Sequence, residues 1–244
     1  MSNSVIEVSR LNKQYINTKA LHEVTFSINR GEVVGLLGAN GAGKSTLLQI
    51  LAGLIRPTSG QVKVLGKDVQ KETLEVKKHI GLLFGSETGL YHRLTAYENI
   101  AYFAEFYNIP KSIYEQRIKD WADALELTPH LDKQAGELSK GNHQKVTILR
   151  SLIHDPEIIM LDEPTTGLDI AASLSFQELL KEIKTRGKTI LFSTHILEEV
   201  DNLCSQVIIL RKGKIHYHGD LTELYRKEET SNLTSIMRNV IRGE

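Results

Sequence analysis

Gly38-Ala39-Asn40-Gly41-Ala42-Gly43-Lys44-Ser45-Thr46 lies between two apolar runs of different character. Val33-Val34-Gly35-Leu36-Leu37, ahead of it, reads as a buried strand, and Leu47-Leu48-Gln49-Ile50-Leu51-Ala52, behind it, as the first turns of a helix. A strand, a turn of the pattern G-x-x-x-x-G-K-[ST] and a helix, in that order, make a phosphate-binding loop. The chemistry asks for these residue types. Glycines at 38, 41 and 43 let the backbone bend so that successive N–H groups point inward onto a polyanion. The helix that follows adds its positive N-terminal end. Lys44 is expected against the β- and γ-phosphates of a nucleotide, with the Ser45 hydroxyl completing a Mg²⁺ shell.

The rest of the composition narrows the class. With 244 residues, 25% of them charged and 41% hydrophobic, the chain can bury a full globular core. The formal net charge is zero, which gives no basic footprint for nucleic acid. No apolar run approaches a membrane span, and the N-terminus lacks a signal-peptide core. Cys204 is the single cysteine, so an internal disulfide framework is excluded and a reducing compartment is expected.

Alternation of apolar and polar residues predicts strands at Val5 to Val8, Ala20 to Ile28 and Gln61 to Leu65, an antiparallel β region around the nucleotide-binding strand. Ile80-Gly81-Leu82-Leu83-Phe84 reads as a second buried strand. From about 95 to 154 the period becomes helical. Thr95 with Glu98 three residues on forms a capping box, Ile113 to Leu127 is a second helix, and a third starts near Ser139. Strand–helix alternation then resumes with Ile158 to Leu161, Ala171 to Thr185, Thr189 to Ser193 and Ile196 to Leu203. A hairpin turns about Lys212-Gly213. The fold class is α/β: a phosphate-loop core with a mostly parallel sheet, an N-terminal antiparallel subdomain and an inserted helical subdomain. Residues 1–225 form one domain, and 226–244 a polar tail expected to be a loose helix or a frayed terminus.

Three further segments carry chemistry. Asp162 and Glu163 close the strand Ile158 to Leu161, where a parallel sheet places its ligands. Asp162 suits a Mg²⁺-holding acid, and Glu163 the base that polarises an attacking water. His195 ends the next strand and faces the same crevice, within reach of a γ-phosphate. Elsewhere, Ser139 and the N–H groups around Gly141 open a helix whose N-terminus suits a second phosphate contact, or simply cap it.

Taken together, these segments resemble the ATP-binding subunits of ABC transporters along nearly the whole chain. Leu138-Ser139-Lys140-Gly141 is similar to the family's signature, Gly38 to Thr46 to its Walker A loop and Ile158 to Glu163 to its Walker B strand. Thr166-Gly167-Leu168-Asp169 is similar to the D-loop, His195 to the switch histidine and Tyr15 to the aromatic that stacks on adenine. The resemblance implies ATP and Mg²⁺ as ligands, and head-to-tail pairing with a second copy or a homologous subunit. Ser139 and Gly141 then close on ATP held by the other subunit's Lys44. It also implies an integral-membrane permease partner and a place on the cytoplasmic face of the membrane. Gly89-Leu90-Tyr91-His92-Arg93-Leu94-Thr95 resembles the sodium or drug exporter branch.

The chain departs from the family at two positions: Gly85 stands where a Gln is usual, and Asn142 replaces the Gln that ends the signature. Seven of fifteen aromatics fall between Phe84 and Tyr107, which suits either helix packing or a groove for a permease helix. The resulting expectation is an ATP-hydrolysing transporter motor, for export. A soluble relative in DNA repair or translation is the rival, but it usually carries long insertions or two cassettes, absent here. A kinase or ligase leaves the signature and His195 unexplained.

Overall fold

The computed structural model describes residues 3–84 and 89–242. Strands β1 (Ser4–Gln14) and β2 (Lys19–Asn29) form an antiparallel pair, continued by β4 (Ser59–Val64) and β5 (Lys67–Asp68) into a four-stranded sheet ordered β2-β1-β4-β5. The second sheet is built on β3 (Val33–Leu37), every residue of which is buried. Its other members are β6 (Ile80–Phe84), β7 (Ile158–Asp162), β8 (Thr189–Ser193), β9 (Gln206–Arg211) and β10 (Lys214–Asp220), in the order β10-β9-β3-β8-β7-β6. All neighbours in it are parallel except the β9–β10 hairpin.

Burial on both faces explains the unbroken apolar runs of these strands. Along β7, Ile159 and Leu161 pack toward the helical insert, while Ile158 and Met160 pack toward the antiparallel sheet. Period-two alternation thus joins two cores through one strand. Helix α1 (Lys44–Leu51) fills the second core, and the short α2 (Thr73–Lys77), unmarked in the sequence pattern, precedes β6.

The insert consists of α3 (Ala96–Phe106), α4 (Lys111–Ala124) and α5 (Lys140–Leu152). The capping box at the start of α3 forms as expected: the Glu98 N–H donates to Thr95 Oγ1 at 3.1 Å and the Thr95 N–H to Glu98 Oε2 at 2.8 Å. α4 runs three residues short of the expected end. Just beyond it Glu126 takes a left-handed φ of 56° that no helix continues through. His154 ties the insert to the sheet, sharing a hydrogen bond with the Ile80 carbonyl at 3.1 Å and stacking on Tyr107 at 4.2 Å. Burial holds its pKa down at about 4, so the ring is neutral at physiological pH.

After β7 come α6 (Ile170–Thr185), α7 (Leu197–Leu203), α8 (Leu221–Lys227) and α9 (Leu233–Arg242). Of the loose helix or frayed terminus expected for the tail, a helix forms, and it is packed rather than loose. Leu233, Ile236, Met237 and Val240 of α9 are buried in a third cluster with Leu37, Val200 and Ile209. These four recur at helical spacing, so one apolar stripe seats the helix.

Candidate active site

Three sequence-predicted segments meet at the carboxyl ends of β3, β7 and β8, which are adjacent in the sheet. The loop after β3 is held open by geometry only glycine permits. A Cβ at Gly38 would stand 2.5 Å from the Leu210 carbonyl, and one at Gly43, whose φ is 108°, 2.7 Å from the Ala20 carbonyl. Within the loop the Ala42 N–H donates to Ala39 O at 3.0 Å. Among the described residues, the N–H groups of Gly41, Gly43, Lys44, Ser45 and Thr46 meet no acceptor. Such a ring of unpaired donors around a helix N-terminus fits the oxygens of a polyphosphate.

Lys44 is buried and lies back along the loop, donating to Gly38 O at 2.8 Å. Its ammonium stands 3.7 Å from Glu163 Oε1. The other oxygen, Oε2, accepts from Thr166 Oγ1 at 3.3 Å and lies 3.4 Å from His195 Nδ1. Glu163 therefore sits between a fixed cation and an imidazole, with its carboxylate still partly exposed to solvent. That carboxylate is positioned to take a proton from water beside the loop.

Ser193 organises this pair, and sequence reading missed it. Glu163 takes a left-handed φ of 47°, strained for a side chain of this kind. Its N–H donates to both the carbonyl of Ser193, at 3.1 Å, and its hydroxyl, at 2.9 Å. The same hydroxyl donates to Asp162 Oδ1. Asp162 and Ser193 are register partners on β7 and β8, so one buried hydroxyl fixes both acids.

A second missed group secures the turn that carries His195. Buried Glu199 accepts from Thr194 Oγ1 at 2.7 Å, and that hydroxyl accepts the Ile196 N–H at 3.0 Å. The backbone on both sides of His195 is thereby anchored, while the other oxygen of Glu199 has no partner among the described residues.

Asp162, Glu163, His195, Lys44 and the loop are brought together; Ser139, Gly141 and Asp169 are not. Ser139 caps α5, accepting the Asn142 N–H at 3.3 Å. A Cβ at Gly141 would lie 3.0 Å from that of Ala172, and Lys140 Nζ donates to Gly167 O. Asp169 caps α6, accepting the Ala172 N–H at 2.8 Å. The signature and residues 166–169 therefore form one unit. The described residues lining the cavity of about 710 Å³ beside the loop include neither Ser139 nor Gly141.

Tyr15 stands half-exposed in the turn between β1 and β2, with Lys13 Nζ 4.8 Å from its ring centroid. The same hairpin reaches the loop where Ala20 abuts Gly43. Gly85 lies outside the described residues. Of the seven aromatics, Tyr91, Tyr102 and Phe106 are exposed, whereas Phe84, Tyr97, Phe103 and Tyr107 are partly buried. Packing and exposed surface thus divide the cluster.

Comparison with known proteins agrees with this geometry. The family "ABC transporter" matches residues 21–166. The ABC transporter ATP-binding protein NatA of Bacillus subtilis is 47% identical over 226 residues, 92% of each chain. Among solved structures, cbiO1 of Clostridium perfringens, part of the ABC transporter complex cbiONQ, superposes with a TM-score of 0.85 at 28% identity, over 97% of this chain and 98% of that one. The cassette MJ0796, solved as a dimer in a post-hydrolysis state with ADP and Pi, gives 0.78 at 28% identity over 88% and 98%.

Proposed function

The chain belongs to the ABC transporter family of ATP-hydrolysing ATP-binding subunits, and we propose from this premise that it is the motor of an exporter. In this reading it binds two ATP between two subunits and drives a separate membrane permease from the cytoplasmic face. One observation carries the hydrolytic core of the reading. Glu163 lies between Lys44 and His195, beside a loop of unpaired N–H groups.

The roles follow from position. The loop N–H groups and Lys44 bind the β- and γ-phosphates, and Tyr15 stacks on the base. Asp162 and the exposed Ser45 are oxygen donors that suit Mg²⁺ at the mouth of the loop. When bound, that ion neutralises charge on the phosphate oxygens. Glu163 takes the proton of the water that attacks the γ-phosphorus, the bond to the β–γ bridging oxygen breaks, and ADP and phosphate leave. His195 holds the Glu163 carboxylate and touches the γ-phosphate, so its contact is lost with that group. The separation of Ser139 and Gly141 from this site supports their use in trans, on ATP held by a second subunit.

Export rests on the likeness of Gly89 to Thr95 to the exporter branch. No helix among the described residues is long and apolar enough to cross a membrane, which suits attachment through a partner. The exposed rings of Tyr91, Tyr102 and Phe106 offer the surface for it, Tyr91 and Tyr102 meeting edge to face at 5.5 Å. Replacing Tyr102 and Phe106 together by Glu is expected to cut recovery of the chain with the membrane fraction about tenfold or more, with ATP affinity unchanged. Unaltered membrane recovery would remove these rings from the interface.

Ser193→Ala tests the hydrolytic reading itself. Freed from its hydroxyl partner, Asp162 loses its orientation, and Glu163 keeps only the carbonyl contact. Phosphate release from ATP and Mg²⁺ is expected to fall by about 10–100-fold, the usual cost of removing a group that orients a metal-binding acid, with the fold intact by circular dichroism. Wild-type turnover in this variant would show that the Ser193 hydroxyl does not position the two acids.

A further inference from the structure

The tail helix forms a second wall of the cavity beside the phosphate loop. α9 is seated by its buried stripe on α7, which begins two residues after His195. Arg238 and Arg242 then line the cavity that Ala39, Asn40, Glu163 and His195 also line. Four residues apart, the two guanidinium groups lie on one helix face and repel each other. Neither is paired with a carboxylate among the described residues. Glu163, the acid on the cavity wall, already faces Lys44 and His195. The cavity thus carries positive charge that Glu163 alone does not offset, next to the carboxylate and imidazole of the hydrolytic site.

We propose that Arg238 and Arg242 form an anion clamp that grips the terminal phosphoryl group from the cavity they share with Glu163 and His195. The clamp rests on the nucleotide-site reading above and adds a second source of phosphate recognition to it. A guanidinium fork matches two phosphoryl oxygens at once, which an ammonium cannot do. The ligand is a phosphoryl oxyanion, present either as the γ-phosphate of ATP or as inorganic phosphate after the bond breaks. Because ADP lacks that group, the clamp separates triphosphate from diphosphate. Because α9 packs on the helix that follows His195, the tail feels the same phosphate that His195 does.

The test uses the full chain in EDTA, where ATP is not hydrolysed, and compares affinities for ATP, for ADP and for inorganic phosphate in the presence of ADP. Arg238→Ala with Arg242→Ala leaves the buried stripe of α9 untouched. ATP affinity is expected to fall about tenfold, the worth of a charge-assisted hydrogen bond open to water, while ADP affinity stays within about twofold of wild type. Weaker phosphate binding beside ADP would extend the clamp to the product; wild-type phosphate binding would confine it to ATP. Arg238→Lys with Arg242→Lys is expected to restore only part of the loss. Equal losses for ATP and ADP, or no loss, would overturn the clamp. So would weaker self-association at an unchanged ATP-to-ADP preference, which would assign the arginines to the partner subunit. A wild-type chain that binds neither nucleotide counts against the nucleotide site itself, a separate and distinguishable result.

Discussion

Glu163→Gln is expected to bind ATP and to hydrolyse it about 10²–10⁴-fold more slowly than wild type, the usual worth of a general base. The substitution keeps the shape of the side chain and leaves the two hydrogen bonds that the Glu163 N–H donates to the Ser193 carbonyl and hydroxyl. An amide oxygen can still accept from Thr166, as Oε2 does at 3.3 Å. What disappears is the basic carboxylate between Lys44 and His195. Because binding rests on the loop and Lys44, the variant should collect as an ATP-bound dimer. Phosphate release and nucleotide retention, measured on the same preparation, check both halves of the statement. Near-normal turnover would take the role of base away from Glu163.

The strands that build the site were legible because each announces itself twice, as an apolar run and by the loop that ends it. Ile158 to Leu161 followed by two acids, and Thr189 to Ser193 followed by His195, fall at the carboxyl ends of neighbouring strands as expected. The capping box at Thr95 was readable for a similar reason, since its two hydrogen bonds depend on residues three apart. Ser193 was not readable. A small hydroxyl at a strand end carries no pattern, and its value comes from the register that sets it opposite Asp162. Glu199 hides in the same way: nothing local distinguishes a buried acid from the exposed Glu198 beside it.

The tail teaches a different point. Leu233, Ile236, Met237 and Val240 have helical spacing, but a helix of ten residues is marginal alone. Its stability comes from a surface built by α7 and β9, which a reading of the tail by itself does not supply. Tyr15 was legible only by resemblance, since an exposed ring in a turn has many explanations.

Shared construction of the site is the central claim, and a mixing experiment tests it most directly. Lys44→Ala and Ser139→Arg are each expected to abolish ATP trapping when alone, because every site then lacks one half. In a dimer of one variant with the other, one site carries both lesions and the other carries none. Random pairing makes half of the dimers mixed, so about a quarter of all sites should be intact, by the two-fold symmetry of the assembly. ATP trapped per subunit, measured on cross-linked mixtures against cross-linked wild type, is therefore expected to reach about a quarter of the wild-type value. If each chain completed its site with its own Ser139, mixing would restore nothing. Mixed dimers that trap no ATP, while wild-type dimers do, would contradict the shared site.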